Sequence, residues 1–256
     1  MSAQRPAASA NDPAIKVTGL SKRFADAGPL VLDRINLRIE PGEFVCLLGA
    51  SGCGKSTLLN IIAGLEQPTS GTVSVASGNA AVMFQDAALF PWLSARHNVE
   101  IALALRGVPR AQRRSQALEL LDIVSLRDAA EKRPHELSGG MRQRVALARS
   151  LAQDRPVLLM DEPFAALDAI TRDLLHEQLE LVWRQTRRTI VFVTHNVREA
   201  ARLGQRVLLM SSRPGRIANE WRVEDTGQRR IESPEVASLA IEITDQLRKE
   251  IRRNAA

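Results

Sequence analysis

The chain has 256 residues, of which 45% are hydrophobic and 25% charged, enough for a substantial core, and its formal charge is +6. No apolar run approaches the roughly 18 residues of a membrane-spanning helix, and two cysteines, Cys46 and Cys53, exclude a disulfide framework and point to a reducing compartment. Aromatics make up 4% with no Tyr, so the basic charge comes without a stacking platform and no nucleic-acid partner is expected.

Residues 1–13 lack the apolar segment of a secretory signal and are expected to be disordered, which predicts a cytosolic address. From Ile15 to Glu40 the pattern alternates, with Pro41-Gly42 as a closing turn, and predicts an antiparallel edge sheet. EFVCLLGA then reads as a buried parallel strand and TLLNIIAGL as a helix. Between them lies GASGCGKST, where Gly49, Gly54, Lys55 and Ser56 fit G-x-x-x-x-G-K-[ST], with Ala50, Ser51, Gly52 and Cys53 as the loop and Thr57 following. A strand that delivers a glycine-rich turn into a helix N-terminus aims unpaired N–H groups at one spot, and the helix dipole favours an anion there. Phosphate is the predicted occupant, with Lys55 reaching the β- and γ-phosphates and the Ser56 hydroxyl on Mg²⁺.

Strand character returns over Gly71 to Phe84, around a Ser77-Gly78-Asn79 turn, and the strand AAVMFQ ends at Gln85, whose amide suits both metal and water. Ser94 to Ala152 is mostly helical, broken at 107–109 and 133–134, and is expected to form an inserted helical subdomain. Within it, Ser138, Gly139 and Gly140 open a helix, making a second glycine-rich anion-binding end. One nucleotide is not easily gripped by both ends of a single copy, so this one is assigned to a nucleotide held by another copy.

VLLMDEP places Asp161 and Glu162 at the end of an apolar strand, the sheet edge that also carries the phosphate loop. One carboxylate there suits Mg²⁺ and the other a polarised attacking water. TIVFVTH brings His195 to the same edge, within reach of a γ-phosphate. Strands alternating with helices predict an α/β fold with a mostly parallel sheet covered on both faces. Ser233 and Pro234 open a C-terminal amphipathic helix.

From about Ile15 to Ile217 the chain resembles the ATP-binding subunit of an ATP-binding-cassette (ABC) transporter. GASGCGKST matches Walker A, Gln85 the Q-loop, LSGGM the signature, VLLMDE Walker B, AALD ending at Asp168 the D-loop, and His195 the H-loop. The resemblance implies a P-loop NTPase (RecA-like) core over 14–86 and 155–218, with an N-terminal antiparallel β subdomain. A helical signature subdomain over 87–154 and a C-terminal extension over 219–256 complete the division. It implies two ATPs sandwiched between two copies, Asp161 on Mg²⁺, Glu162 as general base, His195 on the γ-phosphate, and an aromatic near residue 24 on adenine. That aromatic is usually Tyr and here Phe24; the usual Gln after the signature glycines is Met141.

QDAALFPWLSARHNV, VTHNVREA and SSRPGRI are similar to importers of the nitrate, sulfonate, taurine and bicarbonate group. The implied partners are integral-membrane permease subunits and, indirectly, a periplasmic substrate-binding protein, with this chain at the cytoplasmic face of the inner membrane. An exporter subunit and a non-transport cassette ATPase are the alternatives. Phe90 and Trp92 fall in the segment that implies a permease-docking groove, and for Trp92 a core position is an equal reading. Cys53 lies at a helix N-terminus, a setting that lowers a thiol pKa, so alkylation is expected to block ATPase activity and ATP to protect.

Overall fold

The computed structural model describes residues 12–25, 28–165, 167–223 and 233–255. The disorder expected of residues 1–13 therefore falls mostly outside the described residues. Strands β1 (Ile15–Lys22), β2 (Leu32–Ile39) and β4 (Ser70–Val75) form an antiparallel sheet in the order β2-β1-β4. Ile15 pairs with Ile39 and Val17 with Leu37, all four buried, while Lys16 and Thr18 point outward, so the alternation in the sequence is the inner and outer face of this sheet.

The second sheet has six strands in the order β5-β6-β7-β3-β8-β9: Ala81–Met83, Val157–Asp161, Thr189–Thr194, Phe44–Gly49, Arg206–Met210 and Ile217–Arg222. The first five are mutually parallel and β9 returns antiparallel to β8. FVCLLG and TIVFVT are buried at every position, as continuous apolar runs must be when both faces are covered. Phe44, Cys46 and Leu48 face one core, which the helices α2 (Ala95–Leu105), α3 (Arg110–Ile123), α4 (Gly139–Ala152), α5 (Ala169–Thr186) and α6 (Val197–Leu203) fill from the other side. Val45 and Leu47 face the opposite core, shared with α1 (Lys55–Ile62) and the antiparallel sheet.

One local reading gains a partner that the pattern left open, and one comes out differently. The Ser77-Gly78-Asn79 turn does not close a hairpin, because β4 stays in the antiparallel sheet while β5 joins the edge of the parallel one. Both halves are strands by local pattern, but their partners are set by residues far away in sequence. The strand at Ala81 ends at Met83 rather than at Gln85, so Gln85 lies in the loop that follows.

The C-terminal helix α7 (Pro234–Ala255) packs on the rest of the chain. Val236, Ala240 and Ile243 are buried against the helical core, and the Trp221 indole N–H donates to Glu242 Oε1 at 2.7 Å. Among the described residues no helix is long and apolar enough to cross a membrane.

Candidate nucleotide site

The parallel pairing of β6, β7 and β3 puts the loops after all three on one edge of the sheet. The loop after β3 turns through Gly52 at φ +77° and Gly54 at φ +102°, then starts α1 at Lys55. Gly54 has no substitute, since a Cβ there would lie 2.7 Å from Leu32 Cδ2 and in a backbone region L residues avoid. No side chain caps α1 and no acid occupies its first turn, so its first N–H groups stay available for an external acceptor. Lys55 is buried and its ammonium is held by Gly49 O at 2.9 Å and Ala50 O at 3.0 Å. The turn after β8 packs directly on this loop, since a Cβ on Gly215 would lie 2.2 Å from Cys53 O. The same turn is tied to the start of β2, where Gly215 N–H donates to Val31 O at 2.8 Å and Gly215 O accepts from Asp33 N–H at 3.0 Å.

A cavity of about 360 Å³ opens on the loop, lined among others by Gly54, Lys55, Ser56, Gln85, Asp161 and Glu162. Asp161 ends β6 with Oδ1 buried and without a hydrogen-bond partner. Burial pushes its pKa up, with the neighbouring Glu162 adding to the rise, while a hydrogen bond from Ser56 and the charge of Lys55 oppose it. An unpartnered buried carboxylate oxygen beside a serine hydroxyl is a fitting donor pair for a hard divalent cation. Among the described residues no cluster of three or more His, Cys, Asp or Glu suits a metal.

Glu162 sits at φ +44°, a left-handed conformation held by its N–H to Val193 O at 3.0 Å. This turn directs its carboxylate to His195, whose Nδ1 lies 2.9 Å from Oε2. Glu162 lines both the nucleotide cavity and the small cleft beside His195, so the pair joins the two spaces. Loop and carboxylates thus form one chemical unit, able to hold a polyphosphate, a cation and an oriented water.

Ser138, Gly139, Gly140, Asp168 and Phe24 do not line that cavity. Ser138 caps α4 by accepting from Met141 N–H at 3.2 Å, and Gly140 packs so tightly on α5 that a Cβ would lie 2.4 Å from Thr171. Asp168 caps α5 through Thr171 N–H at 3.0 Å, which holds its carboxyl below the usual value. Phe24 is 64% exposed, with Lys22 Nζ 5.1 Å from its ring centroid. Trp92, 67% exposed and 5.6 Å from the Phe90 ring, is a surface residue and not core. It lies on a turn pinned by the buried Asn98, which donates to Ser94 O at 3.0 Å and accepts from Phe90 N–H at 2.8 Å.

The reactive Cys53 expected at the helix N-terminus is corrected by its surroundings. The thiol is buried, and desolvation raises its pKa against the opposing charge of Lys55, 4.0 Å away. Sequence reasoning also missed Gln143 and Arg149 on α4. Gln143 donates to Gln85 O at 2.6 Å and Arg149 to Ala87 O and Ala88 O at 2.7 and 2.8 Å, which ties the loop after β5 to α4. No local pattern marks such contacts; only the polar positions on an otherwise buried helix face hint at them.

Comparison with known proteins agrees with this geometry. A family model described as ABC transporter matches residues 32–165. The nitrate import ATP-binding protein NrtD of Synechocystis sp. is 44% identical over 252 residues, covering 91% of this chain and 95% of that protein. The taurine import ATP-binding protein TauB of Roseobacter denitrificans is 45% identical over 219 residues, 82% of each. A solved dimer of the ATP-binding cassette MJ0796 with ADP and Pi superposes with a TM-score of 0.72 at 34% identity, over 82% of this chain and 99% of that one. The loop, the carboxylate pair and these likenesses lead to one conclusion: the chain belongs to the ABC transporter family, as an ATP-binding, ATP-hydrolysing subunit.

Proposed function

We propose that this chain powers import of a small oxyanion such as nitrate, a sulfonate or taurine through a separate membrane permease, by closing with a second copy on two ATPs. The observation that carries the catalytic part is the 2.9 Å contact of His195 with Glu162, a residue that lines the phosphate-loop cavity. In this reading the first-turn N–H groups of α1 and the Lys55 ammonium take the β- and γ-phosphates, and Lys55 exchanges its loop carbonyls for phosphate oxygens. Ser56 and Asp161, with Gln85, hold Mg²⁺, which neutralises developing charge on the phosphates when bound. Glu162 accepts a proton from the attacking water while His195 fixes its carboxylate and reaches the γ-phosphate. Phe24 stacks on adenine, and Ser138 to Gly140 and the Asp168 turn meet the nucleotide and loop of the second copy.

The division into a core over 14–86 and 155–218, a helical part over 87–154 and an extension over 219–256 follows the same reading. So does the position of the chain, peripheral at the cytoplasmic face of the inner membrane, with permease subunits seated near Phe90 and Trp92 and a periplasmic binding protein supplying cargo. The names and lengths of the import relatives support the importer reading. The test is Glu162→Gln in the full chain: nucleotide binding within about threefold of wild type, turnover reduced by roughly 10² or more, and an ATP-stable dimer by light scattering. Near-normal turnover would remove Glu162 from its role.

A further inference from the structure

Behind His195 lies a buried ionic cluster that none of the motifs describes. Glu199, in the first turn of α6, is 5% exposed, and His176 on α5 is fully buried. Glu199 Oε2 accepts the Thr194 hydroxyl proton at 2.5 Å, and Thr194 Oγ1 accepts the Asn196 N–H at 2.9 Å, so the residues on both sides of His195 are fixed to one carboxylate. Oε1 faces His176 Nε2 at 3.4 Å and Arg172 Nε at 3.5 Å. Arg172 in turn donates to Phe164 O at 3.3 Å and Leu167 O at 2.6 Å, holding the turn that follows Glu162, and the Phe164 ring meets His176 edge-on at 5.6 Å.

Burying a carboxylate is costly unless it is paired and hydrogen-bonded, and a hydrocarbon of equal volume would fill the space at no such cost. Burial alone would raise the Glu199 pKa, yet His176, the Thr194 hydroxyl and Arg172 together hold it below the usual value, so the group stays ionised. Its two oxygens face in two directions. One serves the loop 194–196, the other faces Arg172, which holds the carbonyls of Phe164 and Leu167.

We propose that Glu199, which pairs with Arg172 and faces His176, is a positioning residue that sets His195 in one fixed relation to Phe164 and Leu167. The position of the His195 imidazole against Glu162 and the path of the chain toward Asp168 are then a single geometric variable. Glu199 does not line the phosphate-loop cavity. The kinetic side of this inference rests on the reading of Glu162 and His195 as the hydrolytic pair; the geometric side does not.

The experiment uses the full-length chain and Thr194→Val, Thr194→Ser and Glu199→Gln, each checked for folding by thermal unfolding. Thr194→Val replaces the hydroxyl by a methyl, and Thr194→Ser keeps the hydroxyl. With Mg-ATP, Thr194→Val and Glu199→Gln are expected to lower kcat by about 10–100-fold with KM within about threefold, and Thr194→Ser to recover most of the turnover. The double variant costs no more than the worse single change, since both cut one linkage. A second readout is independent of turnover. The protein has four histidines, and the ¹³C-labelled imidazole resonances of His195 are expected to move toward those of a free exposed histidine in Thr194→Val and to stay at the wild-type position in Thr194→Ser. Unmoved His195 resonances in both Thr194→Val and Glu199→Gln, or equal loss of turnover in the Val and Ser variants, would overturn the proposal. Resonances that move as expected in a chain without turnover would keep the linkage and reject the hydrolytic reading instead.

Discussion

The N-termini of α1 and α4 are written in similar letters, GCGKST and LSGGM, and do opposite things with them. The first is uncapped, sits over a buried lysine and opens on a cavity of about 360 Å³ that two carboxylates share. The second is capped by its own Ser138, has Ser138 and Gly139 exposed, and borders no part of that cavity. Glycine is needed at Gly54 for a left-handed turn, whereas at Gly140 it lets α4 approach α5. One end borders a cavity of its own; the other, in the proposed reading, is a surface that acquires meaning only against a partner. The comparison teaches that a glycine-rich helix start identifies anion chemistry only once its cap, its exposure and its neighbouring charges are known.

The sharpest way to break this comparison is to put a methyl group on each end. Gly54→Ala meets both the φ of +102° and Leu32, and is expected to abolish nucleotide binding and cut turnover on the order of 10³-fold. Gly139→Ala has no heavy atom closer than 3.9 Å to its new Cβ, so the fold and the ATP affinity of a single copy should survive while turnover falls about tenfold. Equal effects in a nucleotide-binding and ATPase assay would erase the distinction between the two ends.

Mixing comes next in size. Lys55→Ala and Ser138→Arg should each be inactive alone, yet an equimolar mixture should regain about a quarter of wild-type turnover, because half the dimers carry one intact composite site. No recovery would mean that both ends serve one nucleotide within one copy.

A smaller effect concerns pH. A carboxyl whose pKa is raised binds its proton already at higher pH, and the protonated form gives up a cation. The affinity for Mn²⁺ with ATP should therefore fall with decreasing pH earlier than an ordinary aspartate dictates, and Asp161→Asn should flatten that profile. The same sign governs stability: ionised Asp161 costs the nucleotide-free fold at neutral pH, so Asp161→Asn should raise Tm by about 2–4 °C there, a gain that closes at low pH. The smallest expected effect is at Cys53, where a maleimide should label the folded chain far more slowly than the unfolded one, ATP or not. Rapid labelling of the folded protein would mean that the loop opens.

The parts of this site legible in the sequence are those whose chemistry is local. β3, the phosphate loop and α1 form one uninterrupted stretch, and Asp161, Glu162 and His195 follow directly from strands that end at a common edge. The burial of Cys53 was not legible, since a thiol at a helix start is reactive or inert according to what covers it, and that is set by distant residues. The separate destinations of β4 and β5 were hidden for the same reason, as were Arg172 and His176, which sit on the buried side of α5 with no motif to mark them. Asn196 and Glu199 did carry a faint signal, a cap residue followed three positions later by Glu, but that spacing speaks of a helix start and not of a buried clamp.

Three carbonyls, those of Gln85, Ala87 and Ala88, hang from two side chains of α4. A helix tethered in this way works as a crank: a rigid shift of α4 would carry the loop that holds Gln85, at one rim of the cavity, together with Ser138 at the helix start. Stiffness in that crank sets how much of a displacement at one end arrives at the other, and Gln143 and Arg149 are its two pins.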